Sequence, residues 1–105
     1  MDERQYEVIY KPKAKEAIFD IFLYIQRKGY PQNAKKFAES LYDFGNSLAD
    51  FPDAYPVCKQ KQLAIKQMRC AVFHKNYIFV YKVIKNILVI YNIIHCKTNP
   101  YIHSV

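Results

Sequence analysis

The residues of this chain with the clearest chemical potential are the cations of its second half. Residues 1–53 hold all nine acidic residues and eight of the sixteen Lys and Arg residues, whereas residues 54–105 hold the other eight cations and no acid. Such a field attracts polyanions or an acidic protein partner. Solubility alone is the plainer explanation, but a structural domain would not need so one-sided a surface. We predict that the residues binding a target or partner are Arg69, Lys75, Tyr77, Lys82 and Lys97.

Acid-base chemistry could come from the end of the chain. Imidazole titrates near neutral pH, so His95 and His103 could transfer protons, and Tyr101 could stack on a base or donate a proton. His95, however, ends an apolar segment, where a histidine is more often a hydrogen-bonded structural residue than a catalyst. His103 is three residues from the end, where order is often lost.

Ligands for a metal are present but poorly spaced. Cys70, His74, His95 and Cys96 are of the types that bind zinc, yet no close pair has finger-like spacing, and successive strand residues point to opposite faces. We therefore expect no metal and no cofactor. The chain has three cysteines, Cys58, Cys70 and Cys96. Their odd number and the lack of Cys-x-x-Cys spacing favour reduced thiols in a cytosol.

Length and composition indicate one globular domain over residues 1–105. Hydrophobic residues make up 51% of the 105 positions, enough to build a core, and no Gly/Ser-rich linker or repeat divides the chain. The N-terminus is charged and leads into no apolar signal core, and the longest apolar run, around Ile87 to Ile94, is shorter than a membrane span. We expect a soluble cytoplasmic protein with no membrane partner.

Two helices are predicted after a short strand from Tyr6 to Tyr10. Lys11-Pro12 begins the first, because proline is tolerated in a first helical turn, and Gly29 can adopt the left-handed conformation that ends it. Pro31 begins the second, which Phe51-Pro52 closes before an irregular stretch. The apolar stripes are Ala14, Ala17, Ile18, Ile21 and Ile25 in the first helix, and Ala34, Phe37, Ala38, Leu41 and Leu48 in the second.

From Leu63 onward the pattern becomes extended and predicts an antiparallel meander. Three segments dense in Val, Ile, Phe and Tyr span Met68–Phe73, Tyr77–Ile84 and Ile87–His95. Lys85-Asn86 fits a two-residue hairpin loop, because Asn tolerates the left-handed conformation. The last two strands are apolar on both faces, so we expect helices on one face and a partner on the other. The result is an α+β fold with the helices packed on one face of a twisted sheet.

These segments, in this order, resemble the RelE/ParE toxin superfamily, and within it the ParE-like, plasmid-stabilisation branch. Each motif is a weak pattern by itself, and the resemblance rests on their shared order over almost the whole chain. The early motifs are Ala14-Lys15-Glu16-Ala17, Ile21-x-x-Tyr24-Ile25, Ala34-x-x-Phe37 and Leu48-x-x-Phe51-Pro52. The late motifs are Arg69-x5-Lys75-x-Tyr77-x3-Tyr81-x-Val83, then Ile90-x-x-Ile93-x-His95 and Lys97.

The resemblance implies a toxin of a type II toxin-antitoxin module, which a cognate antitoxin holds inactive. It also implies either a homodimer of the toxin or a heterotetramer of toxin and antitoxin. Two activities stay open. The ParE-like branch implies inhibition of DNA gyrase by binding, with no catalysis by the toxin. The RelE-like branch implies a ribosome-dependent messenger RNA endoribonuclease, whose catalytic residues here would be Arg69, His95, Lys97 and Tyr101.

One departure from the sequence pattern of the nucleases favours the hypothesis of gyrase inhibition. In the nucleases of the superfamily, an arginine follows the tyrosine of a strand with the sequence Gly-Tyr-Arg. In this chain, the residue after the corresponding Tyr77 is Ile78. Where their last strand ends in a basic residue, this chain has Cys96 and then Lys97. Metal-free RNA cleavage needs a base, an acid and cations to stabilise the developing charge, and this set is incomplete.

Overall fold

The computed structural model describes residues 6–95, in which a strand and two long helices precede three further strands. The elements are β1 (Glu7–Tyr10), α1 (Pro12–Arg27), α2 (Pro31–Ser47), α3 (Lys61–Ile65), β2 (Arg69–Phe73), β3 (Tyr77–Ile84) and β4 (Ile87–His95). The strands form one mixed sheet in the order β1-β4-β3-β2, with β1 parallel to β4 and the other pairs antiparallel. The predicted α+β fold with a helical hairpin and a meander is confirmed.

The helix boundaries follow the Pro and Gly signals closely. Both long helices have proline in the first turn. Gly29 has a φ of +92° and donates its N–H to the carbonyl of Gln26, 3.0 Å away, so it ends the first arm of the hairpin. The second arm ends at Ser47, earlier than Phe51-Pro52, because the next turn tightens to bonds between residues three apart, beginning with Leu48 N–H to Gly45 C=O at 3.2 Å.

The main core lies between the helices and one face of the sheet. Its buried members are Ala14, Ile18, Ile21, Leu41 and Leu48 from the helical half, and Ala71, Tyr77, Phe79, Tyr81, Leu88, Ile90 and Ile93 from the strands. A register shift between Val80 and Tyr81 leaves Tyr91 without a partner on β3. Because this bulge adds one residue to β4, Ile93 returns to the helix-facing core that Ile90 also enters.

The opposite face of the sheet is partly covered by the chain itself. Cys58, Met68, Ile78 and Val80 are buried there, and Leu63 packs against them. The expectation that this whole face is left for a partner is therefore wrong.

The covering segment contains α3, where the sequence predicts an irregular stretch and then extended backbone from Leu63. The N–H of Gln67 bonds to the carbonyl of Ala64 and that of Met68 to the carbonyl of Leu63, both at 2.9 Å, and Gln67 has a φ of +62°. This arrangement is a Schellman stop. The prediction failed because five residues are too few to show a helical period and because the left-handed residue is Gln rather than Gly.

A disulfide joins Cys58 to Cys70, so the expectation of reduced thiols is wrong for these two residues. Backbone bonds from Cys58 N–H to Met68 C=O (2.8 Å) and from Cys70 N–H to Pro56 C=O (3.1 Å) pair the two segments. This pairing brings the Cα atoms of the cysteines to 5.1 Å, within the usual range for a disulfide. Spacing along the chain could not reveal it. Cys96 lies outside the described residues.

The tight turns of the meander use unexpected residues in the left-handed region. In the β3–β4 turn, Lys85 and not Asn86 has the positive φ, +58°. Both His74 and Lys75, between β2 and β3, also have positive φ. The predicted hairpin at Lys85-Asn86 is confirmed, but the left-handed residue is Lys85, whereas the sequence predicts Asn86 in that conformation.

Candidate functional site

Arg69 lies at the start of β2, directly opposite Tyr81 on β3. Residues paired in this way share a face, so the guanidinium lies on the helix side of the sheet. It donates a hydrogen bond to the carbonyl of Tyr55, and Nη2 lies 3.5 Å from the carboxylate of Asp53. The Arg69 side chain is 28% exposed and that of Asp53 84%. This predicted binding residue is thus tied into the loop after α2.

The other predicted binding residues do not join Arg69 on one surface. Tyr77 is buried in the helix-side core, Lys75 lies in the β2–β3 turn, and Lys82, next to Tyr81 along the strand, points to the opposite face. Lys97 lies outside the described residues. The expectation of a single cationic surface is therefore wrong for Arg69 and Lys82, because strand alternation places their side chains on opposite faces of the sheet.

His95 lies at the far end of the sheet, in an aromatic cluster. Its ring stacks on Tyr77 with a centroid distance of 4.5 Å and an interplanar angle of 18°, and meets the edge of Tyr24 at 5.6 Å. Burial, and then the neighbouring Tyr24, raise the pKa of Tyr77. His95 and Tyr24 line a cleft of about 390 Å³, with Asp20 and Arg27 also on its wall.

The two described members of the candidate nuclease set are far apart. Arg69 pairs with Tyr81, and His95 pairs with Tyr77, on opposite edges of β3. Four strand residues correspond to about 13 Å along the sheet, and two strand spacings add about 10 Å across it. One scissile phosphate cannot contact both groups. Tyr101, His103 and Lys97 lie outside the described residues.

Two grooves were missed by reasoning from the sequence. The first, here called the hairpin groove, lies between α1 and α2 and has a volume of about 260 Å³. Its lining residues are Lys15, Ile18, Phe19, Phe22, Ala38 and Tyr42. Phe19 is 57% exposed and stacks on Phe22 at a centroid distance of 6.1 Å. Two phenylalanines three residues apart and outside the predicted core stripe were the available signal.

The second groove, here called the sheet groove, lies on the face opposite the long helices and measures about 490 Å³. Its apolar floor consists of Leu63, Met68, Val80, Tyr91 and Ile94. No signal in the sequence points to it, because its walls come from α3, the start of α1 and the last two strands, which the fold alone brings together.

Within residues 6–95, no three side chains of the His, Cys, Asp and Glu types come together as a metal site would require. Of the four residues whose side chains are of the types that bind zinc, Cys70 is taken by its disulfide. Among the helices of this described part, none has the length and apolar character needed to cross a membrane.

Comparison with known proteins places these features in a family. Residues 8–100 match the model of the family described as the ParE toxin of the type II toxin-antitoxin system parDE. One similar solved structure is a chain of the chromosomal ParDE toxin-antitoxin system from P. aeruginosa, with a TM-score of 0.74. It is 12% identical in sequence, and the match covers 89% of this chain and 98% of that one. No curated protein sequence matches significantly.

Proposed function

The chain belongs to the ParE toxin family of type II toxin-antitoxin systems, and from this premise we propose that it arrests growth by binding DNA gyrase and that a cognate antitoxin neutralises it. The observation that carries this proposal is the family match over residues 8–100, joined to the matching fold. Gyrase acts on DNA in the cytoplasm, so the proposal includes a cytoplasmic site of action.

The separation of Arg69 from His95 supports binding rather than catalysis. A RelE-like nuclease would need its acid, base and cations around one phosphate, and these two side chains lie on strands either side of β3, opposite Tyr81 and Tyr77 respectively. Arg69 is also held by Tyr55 and Asp53. Its proposed role is therefore to present the loop after α2 as part of a protein contact.

We assign the hairpin groove to the antitoxin. Its exposed Phe19 and its neighbour Phe22 form an apolar patch that a helix or extended segment with apolar side chains would cover. Lys15 at the rim suits an acidic side chain of that segment. An antitoxin segment that is acidic and disordered when free would fold on this surface, and the neighbouring reading frame is the place to find it.

Two assays on the purified chain test the proposed target. We expect it to stop DNA supercoiling by gyrase and to leave messenger RNA intact in a translation extract. Message cut at the ribosome, with supercoiling unaffected, would overturn the gyrase proposal in favour of the nuclease.

A matched pair of variants tests the antitoxin site. Phe19→Ser should weaken antitoxin binding and leave the toxin active when the antitoxin is co-expressed. Tyr30→Ser is the control, because Tyr30 is also 57% exposed but does not line the hairpin groove. Equal antitoxin affinity for the two variants would rule out this groove as the contact.

A further inference from the structure

We propose that the sheet groove is a second docking site, which binds an acidic protein segment with apolar side chains along one side. The inference goes beyond the proposed function, since it depends neither on gyrase as the target nor on the hairpin groove. It rests on three features of the groove, which are its apolar floor, its cationic rim and its closed wall.

The floor is apolar and firmly held. Met68 and Val80 are buried, and Leu63, Tyr91 and Ile94 pack around them as partly buried residues. Side chains entering a groove of about 490 Å³ would displace water from this floor, which is the main source of affinity for an apolar contact. Most of the floor is aliphatic, which suits Leu, Ile or Val side chains.

The rim carries three lysines and no acid among its described residues. Lys11, Lys13 and Lys66 line the groove, and within residues 6–95 none of them forms an ion pair. Nζ of Lys11 lies 5.9 Å from the centroid of the Tyr91 ring, so its ammonium is held at the edge of the floor. Carboxylates on a bound segment would meet this rim while the apolar side chains fill the floor.

A nucleic acid fits the groove less well. Its phosphates would satisfy the lysines, but its bases would find one aromatic ring, Tyr91, on a floor that is otherwise Leu63, Met68, Val80 and Ile94. Binding of single strands relies on several stacking platforms in a row. A protein segment uses both the rim and the floor, and we therefore assign the groove to a protein.

The wall formed by α3 is held in place before any partner arrives. Its lining residues Gln60, Leu63, Lys66 and Met68 all lie between the bonded cysteines Cys58 and Cys70. A closed loop has less freedom to lose on binding, so more of the contact energy appears as affinity.

The test uses the full chain and a fluorescent peptide of alternating Leu and Glu, about ten residues long, which spans about 33 Å when extended. A second peptide with Ser in place of Leu measures the contribution of charge alone. We expect the Leu/Glu peptide to bind more tightly in fluorescence anisotropy. NMR shifts should fall on the amides of Leu63, Val80 and Ile94.

Lys13→Glu is the decisive variant, because an acid in the first turn of α1 favours the helix and should not unfold the protein. Reversing a charge that faces a carboxylate should weaken binding by about fivefold or more. Lys35→Glu, on the exposed side of α2 and outside the groove, should change it by less than about twofold.

Three results would overturn the proposal. They are equal affinity for the two peptides, equal effects of the two variants, and tighter binding of a single-stranded oligonucleotide of the same charge in the sheet groove. Since each is read from binding, a failure here is distinct from a failure of the gyrase assay.

Discussion

The ring of Tyr10 fills the space that a side chain on Gly45 would need. A Cβ built on Gly45 would lie 2.9 Å from Cδ1 of Ile90 and 3.1 Å from Cε2 of Tyr10, with the Tyr10 hydroxyl closer still. That hydroxyl lies 2.9 Å from both the carbonyl of Tyr42 and Oδ1 of Asn46. Residue 45 must therefore lack a side chain for β1 and α2 to meet.

Gly45→Ala is expected to destabilise the protein by about 1–2 kcal/mol, because the overpacking cost exceeds the gain in helix propensity of about 1 kcal/mol. Chemical denaturation followed by circular dichroism measures this. A matched cycle adds Tyr10→Phe, which removes the closest atom. Alone, Tyr10→Phe should cost stability through its lost hydrogen bond, but in the Gly45→Ala background it should cost less. Additive effects would contradict the packing explanation.

Breaking the Cys58–Cys70 disulfide should lower the free energy of unfolding by about 3 kcal/mol, as expected for a loop of this size. The comparison is between the oxidised protein and the Cys58→Ser/Cys70→Ser variant in a urea titration. Cys96→Ser is the control and should keep the full sensitivity to a reducing dithiol. If mass mapping of oxidised peptides joins Cys96 to either partner, the pairing is wrong.

Although Arg69 and Asp53 form one ion pair, their replacement by Ala should lower the free energy of unfolding by different amounts. Asp53 is mostly exposed, so Asp53→Ala should cost less than about 0.5 kcal/mol. Arg69→Ala also leaves the carbonyl of Tyr55 without its donor, and should cost about 1–2 kcal/mol. Thermal or urea unfolding of both variants distinguishes these values. Equal losses would mean that the pair, and not the Tyr55 bond, is what matters.

Arg69 is also part of the proposed binding set, which leads to a separate expectation for toxicity. Arg69→Ala combined with Lys97→Ala should relieve growth arrest while circular dichroism remains that of a folded protein, since the loss of about 1–2 kcal/mol expected at Arg69 is smaller than the free energy of unfolding of a typical domain. Loss of the folded spectrum would assign these side chains a structural role instead.

Tyr81 should make stability fall at alkaline pH. Burial raises its pKa to about 12, outweighing the lowering effect of Arg69, and its hydroxyl donates to the carbonyl of Pro52 at 2.7 Å. The unfolded chain releases this proton near pH 10, so the stabilising effect is complete below about pH 10 and is lost as pH rises towards 12. The stability difference between wild type and Tyr81→Phe should therefore shrink over that window. If the free energies of unfolding of wild type and Tyr81→Phe instead change in parallel with pH over this window, the prediction is wrong.

Local signals predicted the order of elements well. Pro12 and Pro31 begin helices because a first turn does not need their missing N–H, and Gly29 ends one because it accepts a positive φ. The runs at Tyr77 and Ile87 are long and rich in strand formers, so their extent was also predictable. The departures occur where the signal is short or carried by an unusual residue, as at Gln67.

The candidate surfaces depend on contacts that no sequence window contains. Tyr10 and Asn46 meet across 36 residues, and the helix-side position of Arg69 follows from its pairing with Tyr81. The sequence by itself determined the strands, the two long helices, their order and the absence of acid from residues 54–105, since propensity and periodicity act over a few residues. Only the tertiary structure decided which cations share a face, which cysteines bond and where grooves open. Those properties follow from strand register and from loop 58–70 packing across the sheet.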